Sequence, residues 1–415
     1  MRKLFRKILS LILAVFMPTA TVIPMTEPVK IEDTTVSVAS DYIFGGTNYG
    51  HVVDYLIKDD NGVKGFLYSN GEIIITGADT SIKDLVIPDE IDGYPVTAIA
   101  DRAFASEPDV DLNMYYFDTV TIGDNVRYIG KWAFGYQESI QLIVFGENVE
   151  EIGQGAFEVC NPQKIVWNDK IKILRSCAFA MMIVASEGVF PLPDSIEILE
   201  YYAIGGSQDT IVVRENVKYI EKCAIWCDNL VVLNMDMEIS SYEKDSTHIG
   251  GFPNDDAIIY CLENSTMHQK LKSGEINNEY HLIENAYLTS ETVDISEDYV
   301  ISGLQGGLTE NDLKSYLNVE GEAEIRVSDE VVKTGTKIEL VNADPEFVYK
   351  TYTAVVDGDI NGDGLTGAAE DFSAMRDIIT GSDSEYSDIN KQAADLNSDG
   401  IVNSTDLTIM KSLLN

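Results

Sequence analysis

The chain has 415 residues and carries 69 acidic side chains against 29 basic ones, a formal net charge of −40 at neutral pH. Nucleic-acid backbones bind basic surfaces, so this charge argues against nucleic acid as a partner. Apolar residues make up 45% of the chain, which is enough for folded cores in two or three domains. An acidic surface of this kind suits a soluble protein and attracts divalent cations.

Residues 1–40 predict an export signal and a short tail rather than part of the fold. Four basic residues in the first seven positions precede an apolar run from Ile8 to Met17, the order found in secretory signal peptides. That run is too short to cross a bilayer, and no other apolar stretch is long enough, so we expect no membrane span. The cleavage point stays open between Ala20 and Ala39–Ser40. We expect a secreted, extracellular protein.

Five cysteines are scattered without the paired spacing of a disulfide framework or a metal site. They are Cys160, Cys177, Cys223, Cys227 and Cys261. An odd number at irregular intervals favours buried free thiols, with one or two bridges as the alternative.

A nine-residue phrase recurs through the first two thirds of the chain. Its template is Val or Ile, then Ile or Leu three residues on, then Ala four further on, followed by Phe or Ile. The copies are VTAIADRAF (96–104), VRYIGKWAF (126–134), VEEIGQGAF (149–157), IKILRSCAF (171–179), IEILEYYAI (196–204) and VKYIEKCAI (217–225). Short β-branched segments lie between the copies. A period near 23 residues with one strand in each unit predicts a solenoid, whose coils stack into one continuous core.

These phrases resemble the leucine-rich repeats of BspA-type bacterial surface proteins. The segment 85–104 is similar to that family's first coil, and 258–284 is similar to its closing strand-and-helix cap. The resemblance implies a capped leucine-rich-repeat solenoid over 41–284. It also implies recognition or adhesion, with an unidentified protein or plant cell-wall polysaccharide as the target.

Residues 285–356 alternate apolar and polar side chains, with turn signals between the runs. This pattern predicts a small β-rich module. One short helix is expected at 308–317, with Thr309 placed to cap it. The sequence of this module indicates no chemistry.

Two acidic loops lie near the C-terminus. The second has the oxygen-donor spacing of a calcium loop, at positions 1, 3, 5, 7, 9 and 12. Those positions hold Asp395, Asn397, Asp399, Ile401, Asn403 and Asp406. In the first loop, positions 1, 3, 5 and 7 hold Asp359, Asn361, Asp363 and Leu365. So much like charge in one turn predicts a bound Ca²⁺ in each loop, two ions in all.

The acid that closes the first loop is ambiguous. Counting twelve positions leads to Glu370, whereas aligning the two following helices pairs Asp371 with Asp406. The helix alignment implies one extra residue in the first loop. We prefer Asp371 and keep Glu370 as the alternative.

Two such loops, each followed by a helix and lacking the leading helix of an EF-hand, resemble a type I dockerin over 357–415. The resemblance implies an all-α module that binds the cohesin domain of a scaffoldin and so places the protein in a cellulosome. In that family, recognition maps to positions just before the closing acid and one turn into the helix. The matching residues are Ser404, Thr405 and Lys411 in the second copy, with Ala368, Ala369 and Arg376 as counterparts in the first. Because the two sets differ in chemistry, we expect one preferred binding orientation.

No nucleophile elbow, HExxH or glycine-rich phosphate loop is present in the sequence. Cys261 and His268 could pair in a thiol protease, but both fall in the predicted cap. The sequence therefore favours a non-catalytic, cellulosome-associated protein that takes part in polysaccharide breakdown through recognition. The alternatives are a dockerin-bearing polysaccharide hydrolase with unrecognised carboxyls, or a passive spacer. Some aromatic residues could stack on sugars or instead pack between coils. They are Trp132, Trp167 and Trp226, or Tyr115, Tyr116, Tyr201 and Tyr202.

Overall fold

The computed structural model describes residues 42–106, 115–182, 189–190, 192–206, 210–221, 223–240, 257–382 and 386–413. The predicted export signal in 1–40 lies outside these ranges. Within them, no helix is long and apolar enough to cross a membrane.

The repeated phrases form the coils of a β-solenoid, as predicted. Each phrase contributes one strand to a long sheet in which successive coils pair in parallel, so that Ile129 lies beside Ile152 and Ile152 beside Leu174. The coil strands are Tyr94–Ile99, Tyr128–Ile129, Glu151–Ile152, Ile173–Leu174, Ile198–Leu199, Tyr219–Ile220 and Glu238–Ile239. At its first end the sheet continues into Ile73–Ala78, Val63–Tyr68 and Val52–Lys58, with Glu90–Ile91 beside Tyr94–Ile99.

The Ala-Phe pair of each phrase lines the core. The rings of Phe104, Phe134, Phe157 and Phe179 are buried and stack with centroids 5.0, 5.0 and 5.3 Å apart. This distance is close to the spacing of hydrogen-bonded strands, about 4.8 Å. The stack follows from backbone bonds between coils, since the amide of Phe134 donates to the carbonyl of Ala156 (2.8 Å).

The residue before each alanine adopts a left-handed backbone, with φ between 55° and 63°. These residues are Arg102, Trp132, Gly155, Cys177, Tyr202 and Cys223. Residues other than glycine rarely take this conformation. Here the turn is stabilised because the same amide reaches the next coil, as when Trp132 donates to the carbonyl of Gln154 (2.8 Å). The left-handed turn is therefore a feature of the repeat and does not require glycine at this position.

The other faces of the coils carry shorter parallel sheets. One contains Asp84–Val86, Thr119–Thr121, Leu142–Val144 and Lys164–Val166. Another contains Val189–Phe190, Thr210–Val213, Asn229–Val232, Ile258–Leu262 and Tyr280–Ile283. Phe179–Met182 pairs with Ile204–Gly206, and the hairpin Tyr42–Phe44 with Thr47–Gly50. Helix α1, Thr266–Ser273, begins at Ser265 and lies in the predicted closing segment.

All five cysteines are free thiols, which confirms that prediction; four are buried and Cys177 is partly exposed. Burial raises the pKa of the Cys261 thiol to about 11 and that of Cys177 to about 12.

The region after the solenoid is β-rich, as expected. Its main sheet has the order Asp294–Ile295, Val300–Leu304, Glu346–Val356, Lys337–Ala343, Glu324–Val327. Tyr287–Thr289 pairs with Asn318–Glu320 beside it. Helix α2, Glu310–Tyr316, begins at Thr309, whose hydroxyl accepts a hydrogen bond from the amide of Asp312 (3.3 Å). We call the residues 285–356 the β module.

The β module packs directly on the solenoid. Val212, Val231 and Leu233 of the solenoid share one buried apolar cluster with Phe347 and Tyr349 of the β module. Polar contacts surround this cluster. Arg214 Nη1 donates to the carbonyl of Tyr349 (2.6 Å), and the Tyr299 hydroxyl donates to Glu215 (2.5 Å).

The C-terminal segment is helical. Its helices are α3, Ala369–Thr380; α4, Asp388–Ala394; and α5, Ser404–Leu413. Helices α3 and α5 are in contact. Met375, Ala394 and Met410 are buried between the helices, together with Ile360 from the preceding loop.

Replacing Phe157 by Ala should lower the free energy of unfolding of the solenoid by about 3–5 kcal/mol, because a ring is removed from the middle of the stack and leaves a cavity. Denaturant unfolding followed by circular dichroism measures this. The matched control is Val86→Ala, at a side chain that is 51% exposed, where a change within about 0.5 kcal/mol is expected. Equal effects at the two positions would contradict the stacked core.

Candidate functional site

The first acidic loop begins where the last strand of the β module ends. Asp359 and Asp371 are both completely buried and close the loop from its two ends. Asp359 Oδ1 accepts a hydrogen bond from the amide of Gly364 (3.2 Å). Asp371 Oδ1 accepts from the amide of Ile360 (2.9 Å), and its Oδ2 accepts from Ala368 (3.0 Å). The backbone of the loop is therefore wrapped around two carboxylates.

Between these ends the side chains turn at alternate positions. Asn361 Oδ1 accepts from the amide of Asp363 (3.0 Å), and Asp363 Oδ1 accepts from the amide of Leu365 (2.8 Å). Each is a side-chain turn of the Asx type. Gly364, at φ 90°, supplies the sharp bend that a calcium loop has at its sixth position.

The second loop repeats the side-chain turns and the buried closing acid of the first. Asp395 Oδ2 accepts from the amide of Gly400 (2.7 Å), and Asn397 Oδ1 accepts from the amide of Asp399 (3.1 Å). Asp399 Oδ1 accepts from Ile401 (2.9 Å). Asp406, completely buried, accepts from Asn403 (2.9 Å) and Asn397 (3.2 Å).

The two loops differ at their closing acids in the way the helix alignment predicts. Asp371 has the buried, amide-bonded position that Asp406 has in the second loop. Glu370 is exposed at the start of α3. The first loop thus has one more residue between Leu365 and its buried acid than the second has between Ile401 and Asp406.

The electrostatics of these loops are unfavourable without a cation. Residues 357–415 contain twelve acidic and three basic side chains. Burial raises the pKa of Asp371, three backbone amides act in the opposite direction, and the negative charge of Asp359 raises it further. In the part of the chain that the structure describes, no three Asp, Glu, His or Cys side chains form a metal cluster by themselves. The oxygens available in the loops instead mix carboxylates with the amides of Asn361, Asn397 and Asn403, which is the hard donor set that Ca²⁺ takes.

The residues matched to cohesin recognition lie at the surface of the two longer helices. Ala369, Arg376, Ser404, Thr405 and Lys411 are exposed, and Ala368 is partly exposed. Leu365 and Ile401, at position 7 of each loop, are 63% and 64% exposed. These two apolar side chains form a matched pair that the sequence analysis considered only as backbone ligands.

One contact of the first loop has no sequence signal. Asp359 Oδ2 accepts a hydrogen bond from the amide of Thr334 in the β module (2.8 Å). Thr334 lies 25 positions earlier in the chain and belongs to no motif. Only the folded structure brings it to the loop.

The outward face of the long sheet combines charged ladders with half-buried apolar side chains. Arg175 bridges Glu151 (2.7 Å) and Glu200 (2.6 Å) across adjacent coils. A hollow of about 150 Å³ lies between this face and the first hairpin, beside Arg127, Tyr128 and Lys172. Ligand pockets for small molecules are usually about 300–1,000 Å³, so this hollow is small by comparison.

The aromatic residues considered for sugar stacking are mostly packed. Trp132 is 6% exposed and stacks on Tyr136 (5.9 Å between centroids). Trp167 is half-buried against Phe145 (5.2 Å). Tyr201 and Tyr202 are partly exposed. A continuous exposed aromatic platform is therefore not formed by these residues.

Comparison with protein families agrees with the two architectures. Residues 97–231 match the BspA type leucine rich repeat region in six copies, and residues 357–415 match the dockerin type I domain. The solenoid is thus a BspA-type leucine-rich-repeat region, and it is followed by a C-terminal type I dockerin. Both resemblances and the fold class predicted from the sequence are confirmed.

Solved structures with a similar chain are leucine-rich proteins. A leucine rich cell surface protein from Faecalibacterium prausnitzii A2-165 is 18% identical, with a TM-score of 0.36; the match covers 50% of this chain and 54% of that protein. This chain therefore spans about half of its length. A T. pallidum leucine rich repeat protein is 18% identical, with a TM-score of 0.33. The match covers 54% of this chain and 97% of that protein. A leucine-rich repeat protein from Bacteroides ovatus ATCC 8483 is 13% identical, with a TM-score of 0.31. The match covers 49% of this chain and 70% of that protein. No curated protein matches the chain.

The two matched domains support a cellulosome-type protein built from interaction modules. Neither domain is catalytic. Type I dockerins are calcium-binding modules whose partner is a cohesin, and both domains are found in extracellular or cell-surface proteins.

In calcium-depleted protein, the stability of the dockerin should fall as the pH rises from about 4 through the raised pKa of Asp371. A carboxyl whose pKa is higher in the folded than in the unfolded state binds more protons when folded. The folded state therefore loses stability as this carboxyl ionises. The Asp371→Asn variant should show a smaller pH dependence. Thermal unfolding of both proteins across this pH range tests the difference, and identical pH profiles would contradict it.

Proposed function

We propose that this is a secreted, non-catalytic subunit of a cellulosome. Its dockerin, holding one Ca²⁺ in each loop, binds a cohesin of a scaffoldin. Its solenoid presents a recognition surface to a protein or to plant cell-wall polysaccharide. The single observation that carries the proposal is the duplicated loop, in which a first carboxylate, two side-chain turns and a buried closing acid occur twice ahead of a helix.

The chemistry of the loops fits calcium. We propose that the ligands are Asp359, Asn361, Asp363, the Leu365 carbonyl and Asp371 in the first loop. In the second they are Asp395, Asn397, Asp399, the Ile401 carbonyl, Asn403 and Asp406. A bound divalent ion supplies the positive charge that offsets the repulsion among these carboxylates. For a module of fewer than 60 residues, this contribution is comparable to the stability of the whole fold.

The buried position of Asp371 supports it, rather than Glu370, as the acid that closes the first loop. Hydrogen bonds from the backbone amides of Ile360 and Ala368 orient both carboxylate oxygens of Asp371. Glu370 lies one residue earlier on the exposed side of α3.

For cohesin binding, the second face is the better supported. Ser404, Thr405 and Lys411 are exposed along α5 and can donate or accept hydrogen bonds. The first face offers Ala368 and Ala369 as rough counterparts, whose side chains provide apolar contact only, and the exposed Glu370 lies beside them. This difference supports a single preferred orientation on the cohesin.

Several observations favour recognition over catalysis in the solenoid. The Cys261 thiol is buried with a pKa of about 11, whereas a nucleophilic cysteine needs a lowered pKa. His268 Nδ1 accepts a hydrogen bond from the backbone amide of Asn264 (2.9 Å), which is a role in the cap. The long outward face of the sheet, with its charged ladders, suits an extended partner better than a small substrate.

Asp371→Asn should weaken calcium binding at the first loop by more than the about 10- to 100-fold that loss of an outer-shell partner costs, because a charged ligand is removed. Calorimetric titration with CaCl₂ measures this. Glu370→Gln removes the same charge one residue earlier and should leave the affinity within a factor of two. If the Glu370 variant is the weakened one, the first loop is closed by the other acid.

Replacing Ser404 and Thr405 by Asp should reduce cohesin affinity by at least about 100-fold, since two charges would be buried in the interface without partners. The matched control changes Ala368 and Ala369 to Asp. Surface plasmon resonance against immobilised scaffoldin cohesins, with and without EGTA, provides the measurement. A loss caused only by the control pair would assign binding to the first face, and binding that survives EGTA would remove calcium from the mechanism.

A further inference from the structure

The two calcium loops share their side-chain turns but differ in the hydrogen bonds of their first carboxylate. In the second loop both oxygens of Asp395 are used within the loop, by the amides of Asp399 (3.2 Å) and Gly400 (2.7 Å). In the first loop, Asp359 uses only Oδ1 within the loop. Its Oδ2 accepts from the amide of Thr334, and this bond is buried on both sides.

Thr334 is held firmly in the β module. Its Oγ1 accepts a hydrogen bond from the amide of Val356 (3.1 Å) and donates to the carbonyl of the same residue (3.2 Å). Val356 ends the longest strand of the β module, three residues before Asp359. The donor amide is therefore fixed relative to the strand from which the loop starts.

The loop also lies against Thr334 through its backbone. Gly362 has φ 73°, and a Cβ at this position would come within 2.9 Å of the carbonyl oxygen of Thr334. The equivalent residue in the second loop is Ser398, which has the same left-handed backbone (φ 56°) and carries a side chain. The first loop needs glycine there because of its neighbour, whereas the second loop does not.

We propose that Thr334 is a positioning residue for the first calcium loop, and that the β module and this loop form one calcium-dependent unit. This inference rests on the proposed binding of calcium by the loop. Thr334 does not touch the ion; its amide orients a carboxylate ligand, as outer-shell partners do at other metal sites. The β module, to which the sequence assigned no chemistry, thereby becomes part of the docking machinery.

The coupling must act in both directions. If the amide of Thr334 favours calcium binding, calcium must stabilise the contact of Thr334 by the same factor. Among the described residues, none of the β module donates to the second loop's first carboxylate, so the two sites should differ in affinity and in their dependence on the β module.

Two variants in the chain from residue 41 onward test the proposal. Gly362→Ser gives the first loop the residue that the second loop already tolerates, so it disturbs only the contact with Thr334. Thr334→Val removes the hydroxyl that fixes the amide to Val356. Thr353→Val is the matched control, because its hydroxyl bonds only Lys337 at the surface of the same module. All are made with the second loop disabled by Asp395→Asn and Asp406→Asn, and titrated with CaCl₂.

Both test variants should bind calcium at least about 10-fold more weakly than the parent, and Thr353→Val should stay within a factor of two. Unchanged affinity in both test variants would overturn the role of Thr334 while leaving the calcium site intact. If the chain with two intact loops takes up no calcium, the proposed function itself fails.

Hydrogen exchange on the chain with both loops intact gives a second test, which does not depend on whether a substituted protein folds. Calcium should slow exchange in peptides containing Thr334 by at least about 10-fold, the reciprocal of the affinity effect. Equal exchange rates with and without calcium would overturn the coupling.

Discussion

In the solenoid, the backbone of each coil is hydrogen-bonded to the next through its turns as well as its strands. The amides of Trp132 and Phe134 both reach the following coil, and the same bonds recur at Tyr202 and Ile204. Equivalent residues must then lie above one another, so each position in the repeat becomes a column. The Phe stack, the alanine column and the charged ladders are consequences of this one constraint.

The columns also determine which residues are left for recognition. Side chains that point inward form the core, and the backbone of the left-handed turns is hydrogen-bonded to the neighbouring coil. The outward face of the long sheet carries charged ladders, in which Arg175 lies between Glu151 and Glu200. The sheet that contains Thr210–Val213 and Asn229–Val232 is covered by the β module, which packs on Val212 and Val231.

Much of this architecture could be predicted from the sequence, because repetition makes local patterns visible. The six phrases predicted the coils, and the alternate oxygen donors and the aligned helices predicted the loops and favoured Asp371. The left-handed turns at Trp132, Cys177 and Tyr202 could not be predicted, since these residue types have no preference for that backbone. The bond between Thr334 and Asp359 is a contact between modules, and no local pattern encodes it.

The dockerin contrasts with the solenoid in how its repeats are stabilised. Solenoid coils bury apolar side chains against one another, whereas the two dockerin loops concentrate carboxylates that repel. The first kind of repeat is stable through its neighbours, and for the second we propose that a bound cation offsets the repulsion. Between them, the β module contacts both, with its buried cluster on the solenoid side and Thr334 on the dockerin side.

The strand Glu346–Val356 leads straight into the first loop, and it lies between Val300–Leu304 and Lys337–Ala343 in its sheet. On the proposed attachments, with the dockerin on a scaffold and the solenoid on a surface, a pulling force would act on this strand along its length. Its hydrogen bonds to both neighbours are then loaded in shear and must break together rather than one after another. With those attachments, this junction would transmit force between the solenoid and the dockerin.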